Sequence, residues 1–453
     1  MNRRGFLLGA AGVAFAGQEK DDGYRGIWYF NQPSNDQYVY KYSGGFATYP
    51  QQLAPIAIYA AQARKTFFCY GGRLKEKNEL LHMVSYFDHA TGTVPRPTVL
   101  LNKRTNDAHD NPTLALDARG HVWIFSNAHG TSRPSYIHRS REPYSVDAFE
   151  RVLETNFSYG QPWHLGAQGF LLLHTHYRQG NRALFAMNSA DGATWAEPRE
   201  LAFAERGHYQ VSWPDAERGR IGTAFDIHPT PGGLNYRTNL YYMSSADAGR
   251  TWQTVGGEPV TVPIRDERNP ALVRDYRSEG LLVYLKDLQY DAQGNPVIVY
   301  LTSKGYESGP ANAPRTLSMA RWTGKAWRYS AITETDHNYD HGSLYLEGRR
   351  WRYLSPSGPG PQPWSTGGEM EAWESRDDGQ TWKRSAQLTR NSRYSHTYLR
   401  RPLHAHPDFY ALWADGNPLG ESESSLYFAT RDNKVFRLPA MMKGDTAKPE
   451  RIR

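Results

Sequence analysis

Cysteine is nearly absent: Cys69 is the only one in 453 residues. One cysteine excludes an internal disulfide, so stability must come from packing. Beyond the first residues no segment is apolar enough to span a membrane. Helix-length stretches with a 3.6-residue apolar period are missing too, which argues against a helical body. No basic run occurs, so nucleic acid is not an expected partner. Three catalytic patterns are lacking. No pair of carboxylates stands out from the turns, as a retaining or inverting glycosidase requires. No G-x-S-x-G elbow offers a serine nucleophile. No convincing triad of arginines accompanies a tyrosine, as a sialidase would need.

Aromatic residues make up 13% of the chain and glycines number 41. With 39% apolar residues, that composition suits many small sheets with polar outer faces. The opening "MNRRGFLLGAAGVAFA" carries Arg3 and Arg4, an apolar run and a small-x-small end at Ala14–Ala16. This is the pattern of a signal peptide over 1–16, and its arginine pair resembles a twin-arginine signal. The expected location is periplasmic or extracellular, in a bacterium; an uncleaved N-terminal anchor is the alternative. The net charge of +7 becomes +5 without Arg3 and Arg4. A moderately basic surface steers anionic ligands.

One pattern recurs: "SADGATW" (189–195), "SADAGRTW" (245–252) and "SRDDGQTW" (375–382), with "WTGKAW" (322–327) as a decayed copy. Each good copy resembles an Asp box. The aspartate caps turn N–H groups, the glycine supplies positive φ, and the tryptophan packs beneath. Asp191, Asp247 and Asp377 are therefore read as structural. The terminal tryptophans are spaced by 57, 75 and 55 residues, room for a four-stranded blade each. Strand-like runs such as "GLLVYLKDL" (280–288) and "PVIVYLTS" (296–303) agree. The expected fold is all-β: a single β-propeller over about 20–440, of seven four-stranded antiparallel blades. Six or eight blades, or a β-helix, are the alternatives. Residues 441–453 read as a frayed polar tail.

The stretch "HDNPTLALDARGHVWIFSNAHG" (109–130) fits a hairpin turning at Asp117–Gly120 with a histidine at each end. His121 at the turn faces away and is a bystander. Further candidates lie in short polar stretches along the next hundred residues: Tyr159 in "NFSYGQPWH", Arg178 after "LLLHTHYR", Tyr209 in "RGHYQVSWPD" and His228 in "AFDIHPTP". His, Tyr and Arg suit β-elimination on a uronic acid. Removing the weakly acidic C5 proton needs a neutralised carboxylate, a base at C5 and an acid for O4. "LHTHY" and "LHAHP" place His174 with His176, and His404 with His406, on one side of a strand. Such pairs line a face or bind zinc. "DHNYDHGSLY" (336–345) either lines the channel or completes the substrate site, or is a loop that satisfies its own backbone.

"GYRGIWYFNQ" (23–32), "YKYSGGFATYP" (40–50), "PIAIYAAQARKTFFCYGG" (55–72) and the 109–130 hairpin resemble the BNR-repeat propellers that include ulvan lyases and L-rhamnosyl-α-1,4-glucuronate lyases. The resemblance covers residues from about 23 to about 435. It implies that His109 and His129 are the paired histidines of those lyases and that Tyr159 is the first tyrosine. Tyr209 and His228 match the later pair. Arg178 is the best match for the arginine, with His176 or Tyr177 as alternatives. A rhamnosidase family shares the fold but carries a histidine just after "TYP", where this chain reads "TYPQQLAPIAIY".

The resemblance implies a polysaccharide lyase that cleaves a rhamnose–glucuronate glycan by β-elimination. In that reading His109, His129 and Tyr159 are catalytic, while Arg178, Tyr209 and His228 bind substrate. The division of base and acid among them stays open. No cofactor is required, and a structural calcium or zinc ion is allowed for. The partner is an acidic polysaccharide or oligosaccharide, and the chain is expected to be a monomer. A glycoside hydrolase of α-L-rhamnosidase type, or a non-catalytic glycan-binding propeller, are the alternatives.

Overall fold

The computed structural model describes residues 17–452; the signal-peptide expectation for 1–16 lies outside them. Among the described residues seven antiparallel sheets of at least four strands follow one another along the chain. Blade 1 consists of Ala57–Ala60, Lys65–Arg73, Leu80–Asp88 and Thr98–Asn102. Blades 2 to 7 begin with strands Pro112–Leu116, Ser158–His164, Gln210–Asp215, Leu282–Tyr290, Ser343–Glu347 and Ser395–Arg400. The first four strands of each blade pair in chain order, the up-and-down order of a propeller blade, while blade 4 adds Leu272–Arg274 on its third strand and blade 7 adds Glu450–Arg451 on its fourth.

Burial grades across each blade. The opening strand of blade 3, "SYGQPWH", is buried at six of its seven positions. The fourth strand of blade 2, "FERVLET", alternates or is exposed. The core lies between blades rather than within them. Trp163, Leu171 and Leu184 of blade 3 pack against Ile221, Phe225 and Tyr241 of blade 4 in one cluster. Each such side chain contributes about 1.5–3 kcal/mol through burial, so every blade depends on its neighbours.

The Asp boxes join third to fourth strands in blades 3, 4 and 6. Asp191 accepts N–H bonds from Ala193 (2.9 Å) and Thr194 (3.0 Å), and the Trp195 indole N–H bonds Gly192 O at 2.8 Å. Gly192 has φ +77°, and a Cβ there would collide with Trp123 of blade 2. Because strands alternate in direction, these boxes sit on the face opposite the starts of the first strands.

Ring closure joins blade 7 to blade 1. Leu403 N–H bonds Ala57 O (2.8 Å) and Tyr59 N–H bonds Leu403 O (3.0 Å). The tail, expected to fray, is paired: Thr446–Ala447 with Val94–Pro95 of blade 1, and Glu450–Arg451 with blade 7. Backbone pairing across the closure, invisible in a polar sequence, holds it. An N-terminal hairpin, Trp28–Pro33 with Tyr40–Gly45, packs against blade 7. Gly45 lies so close to the Asp415 carbonyl that no side chain fits there. "LHAHP" is a correction: His404 and His406 lie in the irregular segment between the first two strands of blade 7, because closure draws Leu403 onto blade 1. No helix among the described residues is long and apolar enough to cross a membrane.

Candidate active site

Alternating strand direction places the starts of first and third strands, and the ends of second strands, on one face. His109 precedes the first strand of blade 2, and His129 follows its second strand. Tyr159 and Tyr209 stand at the entries to blades 3 and 4. A cavity of about 240 Å³ on that face takes in all four residues. Tyr42 and Tyr49 reach it from the N-terminal hairpin and the loop after it, and Arg182, Arg237 and Tyr339 reach it from blades 3 to 6.

Asp107 organises the histidines. It caps the short 3₁₀ turn Ala108–Asp110, its Oδ1 accepting the His109 N–H at 3.0 Å. The same oxygen accepts His109 Nδ1–H at 2.6 Å, and Oδ2 accepts His129 Nδ1–H at 2.8 Å. A carboxylate only accepts, so both rings carry their proton on Nδ1 and leave Nε2 basic. Burial pushes His109 down to about 4, the neighbouring His129 adding to it and Asp107 opposing it. Burial by itself would raise the Asp107 carboxyl, but the two imidazoles hold it well below the usual carboxylate range. The Asp107 carboxylate is thus shared by the Nδ1–H groups of both imidazoles. His109 Nε2 already faces the Tyr42 and Tyr49 hydroxyls, the former at 3.2 Å. His129 Nε2 has no partner among the described residues, and its side chain is 23% exposed against 4% for His109.

The rest of "HDNP" is scaffolding. Asp110 accepts the His129 backbone N–H (2.6 Å) and a forked pair from Arg133 (2.8 and 2.9 Å). The Asn111 amide donates to the Tyr49 carbonyl at 2.6 Å. Asn127 donates to Asn111 O (2.8 Å) and accepts the Gly160 N–H (2.7 Å), which ties blade 2 to the backbone beside Tyr159. Tyr159 has φ +51°, an uncommon backbone state for a bulky residue. Its hydroxyl lies 3.1 Å from that of Tyr209. Burial pushes the Tyr159 phenol well above its ordinary value, neighbouring Tyr177 and Tyr209 add to this, and Arg182 opposes it. Tyr159 is thus a protonated donor at neutral pH.

Arg178 and His228 are placed elsewhere than expected. Arg178 ends the second strand of blade 3, half exposed, and pairs with Glu200 at 2.5 Å. The chain turns at once, and Arg182 on the third strand, paired with Tyr177, enters the cavity instead. Arg182 is half-buried beside tyrosine faces, 4.9 Å from the Tyr177 ring and 5.4 Å from that of Tyr209. His228 is fully buried behind Tyr209, ring centroids 5.0 Å apart and 3.4 Å from Asp226, outside the cavity lining. Its ring packs edge-to-face on Tyr209, which does line the cavity. His174 is buried and His176 half-buried on their strand. "DHNYDH" does both things expected of it. Asp340 accepts the His337 and Gly367 N–H groups, while Tyr339 and His341 line the cavity.

Sequence reasoning missed Asp107, Lys41, Arg182 and Arg237. Asp107 carried a signal, since Asp two residues before His109 fits a capping position. Lys41 and Arg237 come from the N-terminal hairpin and blade 4, and only the closed ring brings them together. Arg237 donates to the Tyr339 hydroxyl at 3.0 Å and lies 5.0 Å from the Tyr209 ring. Lys41, 4% exposed, donates to Asn235. Among the described residues the cavity is lined by three basic side chains, Lys41, Arg182 and Arg237, and by no aspartate or glutamate; burial, with Arg237 and Arg182 nearby, pushes Lys41 well below its ordinary value. Guanidinium groups with no carboxylate beside them in the lining favour an anionic ligand. Asp107, His109 and His129 could also hold a metal ion, with ligand atoms within 4.8 Å of one another. Those groups already bond each other as donor and acceptor at 2.6 and 2.8 Å.

Fold and site together define a seven-bladed propeller with a histidine pair, tyrosine hydroxyls and basic side chains gathered in a cavity on one face. The chain belongs to the BNR repeat-containing family, whose profile matches residues 74–338. It is similar to an ulvan lyase of Nonlabens ulvanivorans, 24% identical over 62% of this chain and 65% of that one, so that just under two thirds of that relative is spanned. An ulvan lyase-PL25 of a Pseudoalteromonas species is 22% identical over 73% of each chain. Among solved structures, a PL25 ulvan lyase superimposes with a TM-score of 0.73 at 18% identity, covering 91% of this chain and 96% of that one. The same fold bound to -[GlcA(1-4)Rha3S]- gives 0.72 at 18% identity, with the same coverage.

Proposed function

We propose that this protein is a polysaccharide lyase that cleaves an ulvan-type glycan at O4 of a glucuronate linked to rhamnose. The observation that carries this reading is the Asp107–His129 pair facing a cavity with Tyr159, two guanidinium groups and no carboxylate in its lining. A hydrolase with two carboxylates across the scissile bond has no such pair here. The relatives named ulvan lyases, and the related structure holding a glucuronate–rhamnose sulfate unit, support the substrate class.

Arg182 meets the uronate carboxylate and lowers the cost of charge developing at C5. His129 Nε2, kept basic by Asp107, takes the C5 proton. The C–H electron pair becomes the C4=C5 double bond as the C4–O4 bond breaks. The Tyr159 hydroxyl gives its proton to O4, which leaves with the rhamnose. Exchange with solvent returns the proton from His129 to Tyr159. Tyr209 holds Tyr159 in place, and His109 fixes the second edge of Asp107. The N-terminal sequence supports export of the enzyme to where such glycans occur. The test is ultraviolet absorbance of the unsaturated uronate on incubation with ulvan. Release of free rhamnose without that absorbance would contradict the proposal.

A further inference from the structure

The seam between blades 1 and 7 carries a second histidine cluster, on the face opposite the proposed chemistry and independent of it. His89 follows the third strand of blade 1, while His406 and Asp408 lie in the irregular segment of blade 7. Each offers one ligand atom, and the three atoms lie within 4.8 Å of one another. The two imidazoles have ring centroids 4.0 Å apart, and Tyr59 packs on both, at 5.2 and 4.7 Å.

We propose that His89, His406 and Asp408 bind a divalent cation of the zinc class that clips blade 1 to blade 7. The surroundings of His89 support a ligand role. Its Nε2 lies 2.8 Å from Thr66 Oγ1, while its Nδ1 is buried without a partner. One ring nitrogen held by an oxygen and the other left free is how metal-bound histidines are oriented. His406 Nδ1 lies 3.8 Å from Asp408 Oδ2 and accepts the Asp408 backbone N–H at 3.2 Å, a bond that a cation at this nitrogen displaces. Ligand atoms around tetrahedral zinc, bonded at roughly 2.0–2.1 Å, lie about 3.4 Å apart. The Asp408 side chain, 66% exposed, closes that difference by rotation. Two nitrogens and a carboxylate oxygen match zinc, with water as the fourth ligand.

The location gives the ion a purpose. Blade 1 takes its four strands from one stretch of chain, and the tail reaches it through the two-residue pairing of Thr446–Ala447 with Val94–Pro95. The seam rests on the Leu403 pairing, the short tail strand and packing of Phe409 and Phe428 into the blade 1 core. A cation bridging His89 and His406 adds a link that only the closed ring can form.

The experiment is zinc titration of the chelator-treated full-length protein by calorimetry, alongside its melting temperature. At a hundredfold excess over the dissociation constant, melting should rise by about 3 °C for a ring of this size. His406→Gln and Asp408→Asn should each lose one zinc equivalent and that rise. Asp408 is exposed, so its variant tests the site even if His406→Gln folds poorly. Thr66→Val should weaken zinc by about 10–100-fold. Unchanged zinc binding in both His406→Gln and Asp408→Asn would overturn the proposal. So would loss of the equivalent only in His129→Ala, which would place the ion in the cavity.

Discussion

The imidazoles of His109 and His129 lie face to face, centroids 4.0 Å apart and 17° from parallel, with both Nδ1–H groups on the Asp107 carboxylate. Two such rings resist carrying a positive charge together. The stack therefore offers one basic nitrogen to the cavity, that of the more exposed His129.

Asp107→Asn should cost about 10³–10⁴ in kcat with melting nearly unchanged, because an amide no longer fixes the Nδ1–H tautomers. Steady-state kinetics on ulvan checks this; a loss under tenfold would remove Asp107 from the orienting role.

Arg182→Ala should lower kcat/KM by about 10²–10³, the scale of one lost charge-stabilising donor. Arg178→Ala should stay within about twofold, since an exposed pair with Glu200 contributes little. The reverse ranking would restore Arg178 to the site.

Asp377→Ala should lower the melting temperature by about 1–3 °C and leave kcat alone. Asp377 accepts Thr381 N–H (2.9 Å) and its hydroxyl (2.6 Å) on the face away from the cavity. Loss of such capping costs roughly 1–2 kcal/mol. A large fall in kcat with normal melting would contradict a structural role.

Stability should fall as pH drops from about 6.5 to about 4. Burial pushes His109, His174, His228 and His396 down to about 4 in the folded state. Between that value and the unfolded one near 6.5, the unfolded chain binds more protons, so acid favours unfolding. Burial raises Asp340 to about 8 and Asp415 to about 6, which works the other way, stabilising as pH falls. The histidines outnumber them. Melting temperature against pH decides, and a flat or rising profile on acidification would refute the balance.

The propeller was legible because its signals are local. An Asp box specifies its own turn, and the 109–130 hairpin pairs Pro112 with Ser126 through Leu116 with Val122. Tyr159 and Tyr209 were legible because each opens a blade. Arg178 misled because a tight turn separates it from Arg182, and side-chain direction after a turn is set by register, where Tyr177 pairs with Arg182. His228 misled because a histidine beside a strand end reads alike whether it faces the cavity or the core. Lys41 and Arg237 were hidden because ring closure, not spacing, makes them neighbours. The tail looked frayed because its pairing uses backbone groups that composition does not reveal.

The most direct test of the account is ultraviolet absorbance on ulvan with the wild-type protein, His129→Ala and Tyr159→Phe measured together. The account predicts steady growth of the unsaturated uronate signal with the wild type. It predicts losses of about 10²–10⁴ in each variant, as expected when a positioned base or acid is removed, with folding intact. Full activity in either variant, or rhamnose release by the wild type without the signal, would contradict it.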